Sequence, residues 1–247
     1  MHCLRPLLRR FSAAAAPSVP AIDPTVGGAA ALENARSRPR SVNRALLLGT
    51  VCYSESVASI WKGIMRHFAR QGLNVETVLF SSYERMNCAL QSRHINIAWN
   101  GPLAHARLLR QLGPARVLAL GMRDSDRDFA SLCIVREDSG IASPADLAHR
   151  RVALGTVDSP QAYLAPLGHL LACGVPLHTL TVSRFDRDVG KHGDTGHGET
   201  AVLDALRSGS AEAGFVSALM WQRALAGEGG AGTAGLRLAP SLCPPPL

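Results

Sequence analysis

Lysine is almost missing from this chain: of 26 basic residues only Lys62 and Lys191 are lysines, the rest being arginine. A Schiff-base or cofactor lysine beyond the first 190 residues could therefore only be Lys191. Aromatic residues are few, at 5%, and nowhere interleave with a cluster of basic residues, which removes the usual footprint of a nucleic-acid surface. The formal charge of +7 does not restore it. Residues 1–44 hold seven arginines against Asp23 and Glu33, a net of +5, so only +2 is left for the other 203 residues. No long apolar run is available to span a membrane. The six cysteines, Cys3, Cys52, Cys88, Cys133, Cys173 and Cys243, are scattered without a CxxC pair. That excludes a dense disulfide framework or a zinc-finger spacing and implies reduced, mostly buried thiols.

What is present begins with a leader. MHCLRPLLRRFSAAAAPSVPA carries Arg5, Arg9, Arg10, Ser12 and Ser18 with no acid before Asp23, and lacks the continuous apolar segment of a secretory signal. Its composition is that of an organellar transit peptide, mitochondrial or plastid, or of a plain disordered leader. Residues 1–43 are accordingly set apart from the fold.

The remainder alternates strand and helix patterns. Apolar runs at 45–50, 74–80, 95–99 and 116–120 read as strands, with helical spacing at 56–71, 83–91 and 103–112 between them. The charged run Met122 to Asp128 interrupts the rhythm as a hinge or exposed crossover. A second series follows, with strands at 131–136, 151–154, 180–184 and 213–216 and helices at 143–148, 163–173, 199–208 and 218–226. Alternation of this kind implies parallel sheets built from βαβ units, with ligands at the carboxyl ends of the strands. The expected organisation is α/β with lobe one over 44–125, lobe two over 126–226, and a flexible tail at 227–247 that partly returns to lobe one.

One junction points to chemistry. Val152 to Leu154 is a buried strand that turns through Gly155 to Ser159 into a helix opened by Pro160, whose missing N–H costs nothing at a first helical position. The N–H groups of Gln161, Ala162 and Tyr163 would then point outward, favouring a phosphate, phosphonate, sulfate or carboxylate. The plainer alternative is that Ser159 simply caps the helix.

Four stretches carry a family resemblance: INIAWNGPLAHARL (95–108), RDFASLCIVREDSGIASPADLAHRRVALG (127–155), VDSPQAYLAPL (157–167) and GKHGDTGHGETAVLDALRSGSAEAGFVSALMW (190–221). They resemble the phosphate/phosphite/phosphonate-binding branch of the type 2 periplasmic-binding proteins, the substrate-binding components of ABC transporters. The resemblance implies a two-lobed fold that closes over a small anion by hinge motion, without a cofactor, a metal or catalysis. Mapped by motif, it implies ligand contacts from Ser159, Gln161 and Ala162 on one lobe, Asn100 facing them, phenolic donors at Tyr53 and Tyr83, and His192 with Asp194 in the closing turn. His192 would donate to phosphonate oxygens, and Asp194 would accept from a P–OH or an amine. Each tyrosine has the alternative of capping a core edge with its hydroxyl in water. His192, Asp194, His197 and Glu199 are metal ligands by residue type, yet their Gly-rich turn lacks a fixed ligand spacing, and Glu199 suits the first turn of a helix.

The resemblance also has gaps. Relatives are periplasmic, whereas this leader suggests an organelle. After the second lobe only a short segment remains to return to lobe one, so that lobe is expected to be truncated at its C-terminal end. An enzyme on the same fold, such as a thiamine-pyrimidine synthase, and a ligand-sensing module with a signalling partner are the alternatives to a binding protein that serves a membrane permease.

Overall fold

The first lobe is organised around β1 (Leu46–Val51), whose Leu48 and Val51 are buried on opposite faces as a central parallel strand requires. In the computed structural model, which describes residues 45–228 and 232–245, β1 pairs in parallel with β2 (Val75–Phe80) on one side and β3 (Ile97–Ala98) on the other. The leader assigned to 1–43 lies outside the described residues. Helix α1 (Ser56–Arg70) covers one face of this sheet through Val57 and Trp61 against Leu48. Helices α2 (Tyr83–Gln91) and α3 (Pro102–Leu112) cover the other, where Tyr83, Met86 and Ala104 pack on Val51 and Ile95. Gly49 permits that approach: a Cβ there would lie 2.5 Å from Ile95 Cδ1 and 3.0 Å from Met86 Cγ.

A fourth strand expected at 116–120 does not form. Pro114–Arg116 makes one 3₁₀ turn and the chain then runs without sheet partners. Leu118, Leu120 and Met122 are 81%, 71% and 63% exposed. Their alternation reads as a strand, but a strand needs a neighbour to take up its backbone groups, and the sheet order β2-β1-β3 supplies none at this place.

The second lobe has a five-stranded sheet and the larger core. Its strands are β4 (Ser131–Arg136), β5 (Arg151–Leu154), β6 (Thr181–Arg184), β7 (Ala213–Ser217) and β8 (Leu236–Leu238), in the order β6-β5-β7-β4-β8. β5 is parallel to β6 and β7, as the alternation implies. β4 departs from it, running antiparallel to both β7 and β8, so this sheet is mixed. β8 also corrects the reading of the tail: it joins the second sheet, with Leu236, Ala239, Leu242 and Cys243 buried in that lobe's core. The prolines after it start a 3₁₀ turn at Pro240–Leu242 instead of a strand.

Helices α4 (Ala165–Ala172), α5 (His197–Arg207) and α6 (Ala218–Leu225) complete the lobe. Phe215, Leu206, Val202 and Leu154 lie at its centre, each fully buried. The short helix expected after Ser143 is a 3₁₀ turn, Pro144–Leu147, closed by a Ser143–Asp146 capping box. The five described cysteines are free thiols. No helix among the described residues is long and apolar enough to cross a membrane.

Candidate functional site

The two lobes meet where the loop between β6 and α5 crosses from the second lobe to the first. Asp188 secures its base, accepting from the Thr195 hydroxyl at 3.0 Å and pairing with His197 Nδ1 at 2.8 Å. Asp158, in the turn after β5, accepts from the Gly190 N–H at 2.6 Å. From there the loop bonds lobe one: the Tyr83 N–H donates to Gly190 O at 3.1 Å, and Lys191 Nζ donates to Cys52 O at 2.8 Å.

His192 follows, nearly fully buried and in a left-handed backbone conformation at φ +51°. That conformation costs a non-glycine residue about 1 kcal/mol. Its ring stacks on Tyr83 with centroids 4.6 Å apart and planes at 14°. Its Nε2 lies 3.1 Å from Glu84 Oε1, and Arg107 Nη1 reaches the same pair at 2.6 Å from Glu84 and 3.3 Å from His192. Glu84, Asp158 and His192 form the one cluster among the described residues with ligand atoms close enough for a metal, within 4.8 Å of one another. The Arg107 guanidinium already supplies a positive charge there. Burial pushes the Glu84 carboxyl up, but its hydrogen bonds and His192 outweigh that and hold it below the ordinary glutamate range.

Asp194 ends the crossing. Its Oδ2 accepts the Tyr83 hydroxyl proton, and the same oxygen lies 3.9 Å from where a Cβ on Gly101 would stand. Gly101 is the N-cap of α3, a helix start with no side-chain cap and no acidic residue in its first turn. Burial raises the Asp194 carboxyl to about 6, opposed by the Tyr83 bond and by Arg123. Burial, and then Asp194, likewise raise the Tyr53 and Tyr83 hydroxyls. Arg123 is held in place by a two-pronged pair with Asp126 at 2.7 and 2.8 Å and lies over Trp99 at 5.9 Å.

On the second-lobe side, the turn opened by Ser159 is built as its sequence suggests, except that Pro160–Leu164 winds as one wide π turn before α4. Ser159 Oγ accepts from the Ala162 N–H at 3.1 Å, so the capping bond is present. The Gln161 carbonyl accepts from Ser131 Oγ at 2.5 Å, and its amide donates to Glu199 Oε1 at 2.9 Å. Gly193, at φ +80°, is laid directly over this turn. A Cβ there would fall 2.5 Å from Ser159 Oγ and 3.0 Å from Gln161 Nε2.

The structure thus gathers Tyr53, Tyr83 and Asp194 beside the Asn100–Gly101 start of α3, and sets Ser159, Gln161 and Ala162 under Gly193. The four residues that suggested a metal by type go to separate partners: His192 to Glu84, Asp194 to Tyr83, His197 to Asp188, Glu199 to Gln161 and Ser217. Sequence reasoning missed Glu84, Arg107 and Lys191 as cross-lobe contacts, and Asp158 as an anchor of the crossing loop. Only Lys191 carried a signal, as the lone lysine of its half. Glu199 stands in the first turn of α5 as expected, but it is 4% exposed and its carboxylate faces inward.

Comparison with known proteins gives this geometry a family. A sequence comparison with curated proteins finds no match. Among solved structures the chain is similar to PhnD1 from Prochlorococcus marinus (MIT 9301), in complex with methylphosphonate, at 19% identity and a TM-score of 0.57, covering 78% of this chain and 71% of that one. It is similar to a binding-protein component of an ABC phosphonate transporter from Pseudomonas aeruginosa at 18% identity and a TM-score of 0.54, with 82% and 66% covered. A protein from Xanthomonas citri bound to ATP gives 21% identity and a TM-score of 0.57, with 80% and 72% covered. These likenesses place the fold among the type 2 periplasmic-binding proteins. The profile of the phosphonate periplasmic substrate-binding proteins of ABC transporters matches residues 51–234, a stretch that runs from the end of β1 to just before β8 and holds every contact of this site. The chain belongs to that family.

Proposed function

We propose that this chain binds a small phosphorus oxyanion, a phosphonate, phosphite or phosphate, in the cleft between its lobes and acts as a substrate-binding component without catalysis. The observation that carries this reading is the meeting of Tyr53, Tyr83 and the uncapped start of α3 within a stretch that belongs to a phosphonate-binding family. Phenolic hydroxyls and free helix N–H groups are donors suited to oxyanion oxygens. Asn100 adds a side-chain amide there, its Oδ1 buried without a hydrogen-bond partner. The Ser159–Ala162 turn furnishes the opposite wall. The methylphosphonate in the PhnD1 complex supports the ligand class.

Isothermal titration of the full chain with phosphate, phosphite, methylphosphonate and 2-aminoethylphosphonate tests the reading. Heat from at least one is expected, and heat from none removes it. Tyr53→Phe should weaken the bound oxyanion roughly 10-fold, the usual worth of one hydrogen bond to a charged group. Its thermal unfolding should stay close to that of the parent chain.

The family is described as periplasmic and serves ABC transporters, so a membrane permease is the proposed partner. The arginine-rich, acid-poor composition of 1–43 supports a different destination, an organelle, with the mitochondrion before the plastid. A fluorescent protein carrying residues 1–43 should enter that organelle; a diffuse cytosolic signal would sink the proposal.

A further inference from the structure

The loop from Asp188 to Gly196 lies across the groups that an incoming oxyanion needs. Tyr83 has one hydroxyl proton, and Asp194 Oδ2 takes it. The start of α3 has no acidic side chain of its own, and the carboxylate nearest to it is again Asp194, from the other lobe. Gly193 fills the space over Ser159 and Gln161 so closely that a single added carbon would collide with both.

The loop's seating is also imperfect, in a way that a permanent structural element would not be. Asp158 Oδ1, His192 Nδ1 and Asn100 Oδ1 are buried around it with no hydrogen-bond partner among the described residues. His192 holds a left-handed backbone. Burial also disfavours the charged form of Asp194, a cost that its bond to Tyr83 only partly offsets and that opening of the loop would relieve. Buried orphan groups and a strained residue are relieved by opening, which makes this loop a poised element and not a fixed strut.

We infer that Asp194 is a resident anion: its carboxylate occupies the place of the oxyanion at Tyr83 and the start of α3, so that the 188–196 loop is a tethered plug that the ligand must displace. This rests on the oxyanion reading of the cleft. It assigns Asp194 a part opposite to that of a ligand-holding acceptor, since the side chain competes with the ligand instead of bonding it. The ligand's charge then replaces a charge already present, and the cost of burying one more anion is avoided. Binding is coupled to release of the loop from Gly190 to Asp194, because the backbone of that segment leaves together with its carboxylate.

The test compares the full parent chain with Asp194→Ala in two measurements, with circular dichroism to confirm folding. Asp194→Ser replaces the alanine variant should that fail to fold. In the first, methylphosphonate is titrated calorimetrically, and the variant is expected to bind about 10-fold more tightly, the gain from removing one competing charged hydrogen bond. Equal or weaker binding by the variant, with the parent binding normally, overturns the resident-anion inference and leaves the oxyanion reading intact. In the second, thermal unfolding is followed in sodium acetate against sodium chloride of equal ionic strength. Acetate should raise the melting temperature of the variant and not of the parent, because a free carboxylate can enter the place that Asp194 has vacated. The same acetate response in both chains overturns the inference. Heat from no phosphorus oxyanion with either chain would instead remove the oxyanion reading, and the acetate response would still decide whether the place accepts a carboxylate.

Discussion

Glu199→Ala is expected to destabilise the chain by about 2–4 kcal/mol, the cost of stranding two buried donors after allowing for the release of a buried charge. Glu199 sits in the first turn of α5, yet it faces inward. Its Oε1 accepts from the Gln161 amide at 2.9 Å and its Oε2 from the Ser217 N–H at 2.5 Å. It therefore ties three elements together: α5, the turn opened by Ser159, and the end of β7, where Ser217 also caps α6 by accepting from the Met220 N–H at 3.1 Å. Alanine leaves the Ser217 N–H and the Gln161 amide without partners in a dry place. Burial raises the Glu199 carboxyl above the ordinary range, so part of the loss is returned when that charge is removed. Glu199→Gln is expected to cost under about 1 kcal/mol, because its carbonyl can serve Ser217 while its amide serves a flipped Gln161. Urea denaturation of the three chains checks both numbers. An alanine variant within about 1 kcal/mol of the parent would mean that the turn relaxes without Glu199.

Acidification from pH 7 to about 5 should stabilise the folded chain, and Asp194→Asn should remove most of that gain. The folded carboxyl of Asp194 titrates near 6, against an ordinary value of 3.8. Between those limits the folded chain holds a proton that the unfolded chain does not, so stability falls as pH rises through the interval and is level above it. The full effect is on the order of 3 kcal/mol, reached only below pH 4. The groups acting on Asp194 are Tyr83, Arg123, Asp126, Glu199 and Tyr53. The tyrosines and Arg123 do not titrate in this range, and Glu199, raised by burial, acts in the same direction. Glu84, Asp146, Asp188 and Glu212 are held below their ordinary values and oppose the gain only in stronger acid, whereas His169, held below the ordinary histidine value by burial, opposes it within this interval in both chains alike and cancels from their difference. Chemical denaturation of parent and Asp194→Asn at pH 7, 6 and 5 reads the difference. Parallel pH profiles for the two chains would show that the carboxyl is already normal.

The regular elements were legible because each obeys a local rule. The helix at 83–91 is read to the residue, since Ser82 caps it by accepting from the Arg85 N–H at 3.3 Å and apolar residues recur at helical spacing. Leu118 and Leu120 show where a local rule fails: alternation defines a face but cannot supply the neighbouring strand. β4 shows another, because its direction is set by β7 and β8, residues that lie far along the chain. At the candidate site, Tyr83 and Asp194 could be nominated by type and motif. Their bond joins residues 111 positions apart, and no spacing announces it. Glu84 and Arg107 were invisible for the same reason. A charged residue on a helix is ordinarily a solvated one, and only the tertiary arrangement turns these two toward His192.

The antiparallel β4 has a consequence for how the second lobe is made. Both of its sheet partners lie downstream, β7 beginning at Ala213 and β8 at Leu236. A ribosome delivers β4 long before either neighbour, so through the synthesis of the 76 intervening residues, 137 to 212, the segment Ser131–Val135 has no ladder to join. Pairings of such long sequence separation form late and slowly, and an unpaired apolar strand is the kind of surface that sticks to other chains in the meantime. β4 is interior in the finished lobe and orphaned in the nascent one, an apolar segment open to other chains until β7 has been made.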